Sequence, residues 1–117
     1  MKKILFLMRT APYGSAGIAE GARGALGFAT LPYELNILLM DEAVWALLPN
    51  QQPESIGGNL TWSLFETLAD IDVTLNVDSE ALNERGITIP SDAPKFNSLN
   101  TDEISALIGQ ADAVLTY

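Results

Sequence analysis

The chain has 117 residues, with no cysteine and no histidine, which excludes disulfides, thiolate or imidazole metal ligands, and Cys-His or Ser-His catalysis. Its formal net charge is −9, so a phosphate backbone or an anionic membrane surface would be repelled. Hydrophobic residues make up 48% of the sequence, which favours burial against another subunit, a parallel sheet covered on both faces, or both.

Location and partners follow from the same features. The apolar run Ile4–Met8 is interrupted by Arg9 and is too short for a secretion signal, and no stretch approaches the length of a membrane span. We therefore expect a cytoplasmic protein that contacts neither nucleic acid nor membrane directly.

The first elements predict half of a βαβ unit. A strand is predicted over residues 3–9, and a turn at Thr10–Ser15 leads into a helix from Gly14-Ser15 to about Thr30. After its opening Gly14, this helix contains four more glycines, which weaken an isolated helix. We expect the sheet or a neighbouring subunit to pack closely against its backbone.

The rest of the chain keeps alternating strand and helix. Strands are predicted over residues 34–40, 72–77 and 112–117, and helices over 43–48, 60–69, 80–84 and from 101 to about 109. Asp78 or Ser79 is expected to cap the third of these helices and Thr101 the last. Residues 51–59 read as a loop, residues 87–90 as a short extended piece and residues 94–99 as a poor fourth strand. The alternation predicts one three-layer α/β domain over residues 1–117.

Three places could carry chemistry. The turn Thr10–Ser15 could cradle a phosphate at a helix N-terminus. Pro12 removes an amide and Tyr13 is bulky, so an N-capped turn or a subunit-contact loop is favoured instead. No cofactor is therefore expected. Asp41-Glu42 could bind Mg²⁺ or accept a phosphoryl group, but helix capping explains Asp41 more simply, so no metal is expected. Trp45 lies in a brief apolar helix, where part of its surface could be covered by a partner.

Two arginines have simpler interpretations. Arg9 could pair with Glu20 or Asp41 across the strand ends, or could be a surface charge. Arg85 before Gly86 fits a cation at a helix C-terminus.

Four segments, in order, carry a resemblance to a known family. They are Ala11-Pro12-Tyr13-Gly14-Ser15 followed by Glu20, the segment 41–51, the segment 79–86 and the last strand at 111–115. Together they resemble the TusC/DsrF subunits of sulfur-relay complexes, over nearly the whole chain.

The resemblance implies a DsrE-like fold, flavodoxin-like in outline, with a mainly parallel five-stranded sheet between helices. It also implies a place in a TusBCD- or DsrEFH-like assembly of two copies each of three related subunits, which pass sulfur as persulfide. The Tus branch supports 2-thiolation of a tRNA wobble uridine and the Dsr branch supports sulfur oxidation; the resemblance does not choose between them. The carrier cysteine lies mainly on the TusD/DsrE-type partner, so this cysteine-free chain fits the non-carrier subunit.

We therefore expect a non-catalytic subunit rather than an enzyme, with TusB/TusD- or DsrH/DsrE-type partners, or self-association when isolated. Two alternatives stay open: a stand-alone flavodoxin-like binder of a small ligand or nucleotide, and a homo-oligomeric DsrE-like protein without a sulfur role. The candidate partner-contact residues are Pro12, Tyr13, Gly14, Glu20, Asp41 and Trp45.

Overall fold

A five-stranded parallel sheet organises the chain, as the family resemblance implied. The computed structural model describes residues 1–11, 17–47 and 60–117. The strands are β1 (Lys2–Met8), β2 (Tyr33–Leu39), β3 (Thr74–Asp78), β4 (Asn97–Leu99) and β5 (Ala113–Thr116). They lie in the order β4-β3-β2-β1-β5, and every neighbouring pair is parallel.

Helices connect these strands. They are α1 (Gly17–Phe28), a 3₁₀ helix (Asp41–Leu47), α2 (Leu60–Asp70), α3 (Ser79–Glu84) and α4 (Thr101–Gln110). Within the described ranges, no helix is long and apolar enough to cross a membrane.

The two faces of the sheet are covered unequally. Alternate side chains of β1, such as Phe6, belong to a large core that also includes Ile18 of α1, Val44 of the 3₁₀ helix and Phe65 of α2. The opposite face has a small core, in which Leu5 and Leu38 pack against Ile104 of α4. Strand order explains the difference. The three right-handed connections from β1 through β4 all advance in the same direction across the sheet, so their helices lie on one face. The connection from β4 to β5 runs in the opposite direction, so α4 lies on the other face.

The face beneath α4 carries a row of asparagines. Asn76 of β3 is 4% exposed. Its amide nitrogen donates to Asn36 Oδ1 at 3.1 Å and to the Ile37 carbonyl at 3.0 Å, and Asn97 Nδ2 donates to Asn76 Oδ1 at 3.4 Å. These bonds satisfy a buried amide that would otherwise oppose folding.

Close packing against α1 is confirmed at two of its glycines. A Cβ on Gly21 would lie 2.8 Å from Met8 Cε and 3.0 Å from the ring of Tyr117. A Cβ on Gly24 would lie 3.1 Å from Tyr117 Oη, whereas one on Gly27 would meet nothing within 4 Å. The surface that packs on the helix is therefore the β1–β5 part of the sheet, and Gly27 has no packing role among the described contacts.

Several predicted boundaries are wrong by a few residues. α1 ends at Phe28 rather than near Thr30, and its predicted start at residues 14–16 lies outside the described residues. The helix predicted over 43–48 is a 3₁₀ helix that already begins at Asp41. Residue 48 and the loop predicted over 51–59 lie outside the described residues. β3 begins at Thr74 rather than residue 72, because Asp72 has a left-handed backbone (φ 68°) that ends the preceding turn.

Helix caps and the last third were partly predicted. Asp78 caps α3, accepting from the Glu80 amide at 3.0 Å, and Gly86 follows that helix with φ +65°. Thr101 is not the cap of α4: Asn100 accepts from the Glu103 amide at 2.9 Å, and the Glu103 carboxylate accepts from the Asn100 amide at 2.9 Å. This reciprocal capping box begins the helix one residue earlier than a lone threonine cap would. The weak fourth strand is confirmed at residues 97–99, and residues 87–90 form no strand.

Candidate partner-contact site at the carboxyl edge

The carboxyl ends of all five parallel strands meet at one edge, called here the carboxyl edge. Hydrogen bonds continue past the strands there: the Met40 amide donates to the Met8 carbonyl at 2.9 Å, and the Arg9 amide to the Tyr117 carbonyl at 2.8 Å. Residues that follow β1, β2 and β5 are thereby fixed side by side. Functional groups of open α/β sheets gather at this edge.

Arg9 pairs with Asp41 across the ends of β1 and β2. The distance from Arg9 Nε to Asp41 Oδ2 is 2.7 Å, and the two side chains are 58% and 46% exposed. Of the two partners predicted for Arg9, the structure thus brings Asp41 into contact. Because water screens so exposed a pair, it contributes about 0.2–1 kcal/mol to stability and acts chiefly to orient both side chains.

Asp41 has an unusual backbone. Its φ is 51°, in the left-handed region, at the first residue of the 3₁₀ helix. For a residue other than glycine this conformation costs about 1–2 kcal/mol, although Asp tolerates it better than most. Its carboxylate accepts from Arg9, and among the described contacts no backbone amide of the 3₁₀ helix is shown donating to it. The capping role expected for Asp41 is therefore replaced by a turn that carries the carboxylate toward β1.

Glu42 holds Trp45 and connects it to α3. Trp45 Nε1 donates to Glu42 Oε2 at 2.7 Å, and Arg85 Nη2 donates to Glu42 Oε1 at 3.4 Å. Arg85 is 20% exposed and also donates to the Ala81 carbonyl at 3.2 Å, so it does serve the end of its own helix, as predicted. Its second role, the pairing with Glu42, was not predicted, since a contact across 43 residues leaves no sign in the sequence.

Trp45 is half-buried and packs against the large core. The other apolar residues of this helix, Val44 and Ala46 among them, are buried, which leaves the indole as its only partly exposed apolar side chain. An aromatic side chain fixed by its own hydrogen bond loses little conformational freedom on binding, as is typical of residues that dominate protein interfaces.

The remaining predicted contact residues divide into two groups. Glu20 is exposed in the first turn of α1, the turn nearest the carboxyl edge. α1 packs on α2, β1 and β2, and the 3₁₀ helix packs on α2, α3 and β3, so Glu20 and Trp45 lie on separate elements that share α2 as a neighbour. Pro12, Tyr13 and Gly14 lie outside the described residues.

In the described part of this edge, the residues that follow β1 and β2 present carboxylates, a guanidinium group and an indole. Asp41 and Glu42 each accept from an arginine, and the sequence has no thiol or imidazole. In the described part of the chain, no group of three or more His, Cys, Asp or Glu side chains is arranged to hold a metal ion.

The fold defines a class: small α/β proteins with a parallel five-stranded sheet and helices. The chain belongs to the DsrE/DsrF-like family, whose model matches residues 2–117. It is also similar to a solved structure, the YchN protein of E. coli, with 26% sequence identity, all of each chain covered and a TM-score of 0.85. Family membership supports a role related to sulfur relay, and proteins of this family typically act in complexes with related subunits.

Proposed function

We propose that this chain is a non-catalytic subunit of a sulfur-relay complex, of the TusC/DsrF type. The observation that carries the proposal is a family match over residues 2–117 in a sequence without a single cysteine. Persulfide transfer needs a thiol, so the sulfur must be carried by another subunit. The role left for this chain is to bind related subunits and hold a carrier loop in place.

The carboxyl edge offers the surface for that role. Arg9 and Asp41 orient each other, and Glu42 fixes the indole of Trp45. These polar groups are already paired within the chain, so a partner that covers them has few unpaired charges to desolvate. A partner can then gain from burying the indole while the paired groups form a polar rim.

Co-purification tests the proposal directly. The chain is expressed with a tag together with the genes that neighbour its own, and the purified material is measured by native mass spectrometry. We expect a hetero-oligomer that contains a cysteine-bearing relative. After treatment with polysulfide, the mass of added sulfur should appear on that relative and not on this chain.

Two results would contradict the proposal. A monomer without partners under these conditions would remove the relay role. A homo-oligomer that excludes the cysteine-bearing relatives would favour a DsrE-like protein without a sulfur role.

The contact surface is tested in the same complex. Trp45→Glu introduces a charge at the indole position, and we expect a smaller particle by analytical ultracentrifugation. Ile108→Glu is the matched control, since Ile108 is 38% exposed on α4, on the opposite side of the sheet. Equal particle sizes for both variants would exclude Trp45 from the interface, and circular dichroism checks that each variant is folded.

A cellular measurement decides whether the complex serves tRNA thiolation or sulfur oxidation. If the complex serves tRNA modification, deleting this gene should lower the 2-thiouridine content of the tRNA, and the cysteine-free chain should restore it. Unchanged 2-thiouridine together with impaired oxidation of reduced sulfur compounds would assign the Dsr branch.

A further inference from the structure

Exposed apolar side chains gather at the opposite edge of the sheet, called here the amino edge, where the strands begin. Among the described residues, six large apolar side chains are exposed, and four of them are close in sequence to the starts of β1, β2 and β3: Met1 (87%), Leu31 (47%), Ile71 (42%) and Leu26 (38%). Met1 precedes β1, Leu26 and Leu31 flank the turn into β2, and Ile71 is in the turn into β3. Because β1, β2 and β3 are neighbours in the sheet, these turns lie next to one another.

A cleft of about 360 Å³ opens among these turns. Its apolar lining includes Leu35 and Val73, which are 4% exposed, and the exposed Ile71. Tyr33, Glu34 and Asp72 also line it, together with Met1 and Ala29. No lysine or arginine side chain is among the described residues that line it.

The electrostatics of this edge are unfavourable for the isolated chain. The C-termini of α1 and α2 both point here, and the negative ends of helix dipoles favour nearby cations. Neither helix has a basic residue in its last turn, and α2 ends instead on Asp70. Two residues further, Asp72 holds a left-handed backbone, with φ 68°.

The cations nearby do little to offset these acids. Lys2 and Lys3 begin β1, and neither lines the cleft. Lys3 approaches Glu34 at 3.8 Å, with the two side chains 42% and 52% exposed, so the pair is weak. Among the described residues that line the cleft, the charged side chains are the two carboxylates of Glu34 and Asp72, which is complementary to a partner that brings cations.

We propose that the amino edge is a docking surface for a segment of another protein that presents a large apolar side chain flanked by lysine or arginine. The apolar side chain enters the cleft against Leu35, Ile71 and Val73, and the cations meet Glu34, Asp70 and Asp72. The surface lies on the edge opposite Trp45 and does not depend on the relay role.

Synthetic peptides test this surface without a known partner. The probe is a capped hexapeptide with a central Leu-Phe pair between lysines, titrated into ¹⁵N-labelled protein while amide shifts are followed by NMR. We expect saturable shifts confined to the starts of β1, β2 and β3 and to the turns before them. Peptides with glutamate in place of lysine, or serine in place of the apolar pair, should not bind.

Variants assign the binding to this edge. Asp70→Asn with Asp72→Asn should weaken the peptide about fivefold, since each exposed ion pair contributes a factor of about two to five. Asparagine tolerates the left-handed backbone of Asp72, which keeps the fold intact. The control removes the same charge at the carboxyl edge, through Glu80→Gln with Asp102→Asn, and should leave the affinity unchanged.

A second pair of variants tests the apolar contribution to peptide binding. Ile71→Ser should reduce affinity, whereas Val114→Ser, at a residue 39% exposed on β5, should not. Three results would each overturn the proposal: no saturable binding, shifts spread over acidic residues elsewhere, or equal losses for the amino-edge variants and their controls. None of these outcomes bears on the co-purification that tests the relay role.

Discussion

Gly21→Ala probes the closest approach between α1 and the sheet. A methyl group at this position would lie 2.8 Å from Met8 Cε and 3.0–3.1 Å from the Tyr117 ring. The Met8 terminus can shift, but the ring cannot easily, because it stacks on Phe6 with centroids 6.2 Å apart and planes 14° apart. The substitution therefore places a methyl group in space that is already filled.

Two opposing terms set the expected size. Alanine favours the helix over glycine by about 0.5–1 kcal/mol. Adding a methyl group to a filled core costs about 1–3 kcal/mol. We expect Gly21→Ala to lower the free energy of unfolding by about 1 kcal/mol, which corresponds to roughly 4 °C in Tm for a domain of this size.

Gly27→Ala is the internal control, because it adds the same methyl group to the same helix where nothing lies within 4 Å. It should raise the free energy of unfolding by about 0.4–1 kcal/mol, so the two variants should differ by about 1.5–2 kcal/mol. Urea unfolding followed by circular dichroism measures this difference. Equal stabilities for the two variants would mean that the sheet does not press on α1 at Gly21.

Three further substitutions test local features, each by urea unfolding. Asp41→Gly should leave the free energy of unfolding nearly unchanged, because relief of the left-handed backbone offsets the lost pairing with Arg9, whereas Asp41→Ala should lower it by about 1 kcal/mol. Equal losses for the two variants would argue against backbone strain. Asn100→Ala should cost about 1 kcal/mol through loss of the capping box, and more than Thr101→Val; the reverse order would restore Thr101 as the cap. Asn76→Ala should cost about 1–3 kcal/mol because it leaves buried partners unpaired, and a cost below about 0.5 kcal/mol would show that water replaces it.

The sequence predicted those features that depend on neighbouring residues. Ile4–Met8 is apolar throughout because β1 is central in the sheet and covered by helices on both faces. The same argument located β2, while Asp78 and Gly86 bounded α3 through local backbone chemistry. These elements could be predicted because each is determined by a few consecutive side chains.

Long-range contacts could not be predicted in the same way. Arg9 had two acidic candidates, and only the parallel register of β1 and β2 places Asp41 beside it. The bond from Arg85 to Glu42 depends on how α3 packs against the 3₁₀ helix, which no local pattern encodes. The cap of α4 was misassigned because Asn100 and Thr101 are both good caps, and the contact with Glu103 decides between them.

The strand order has a consequence for how the protein is made. β1 is near the start of the sequence, yet in the described part of the chain one of its two edges pairs with β5, at residues 113–116. During synthesis, that edge and the apolar side chains beside it stay uncovered until more than a hundred residues have left the ribosome. An unpaired apolar strand is prone to pair with other chains, so aggregation during expression should depend strongly on how quickly β5 arrives. Slowing translation just before β5 should therefore lower the soluble yield more than slowing it before β3.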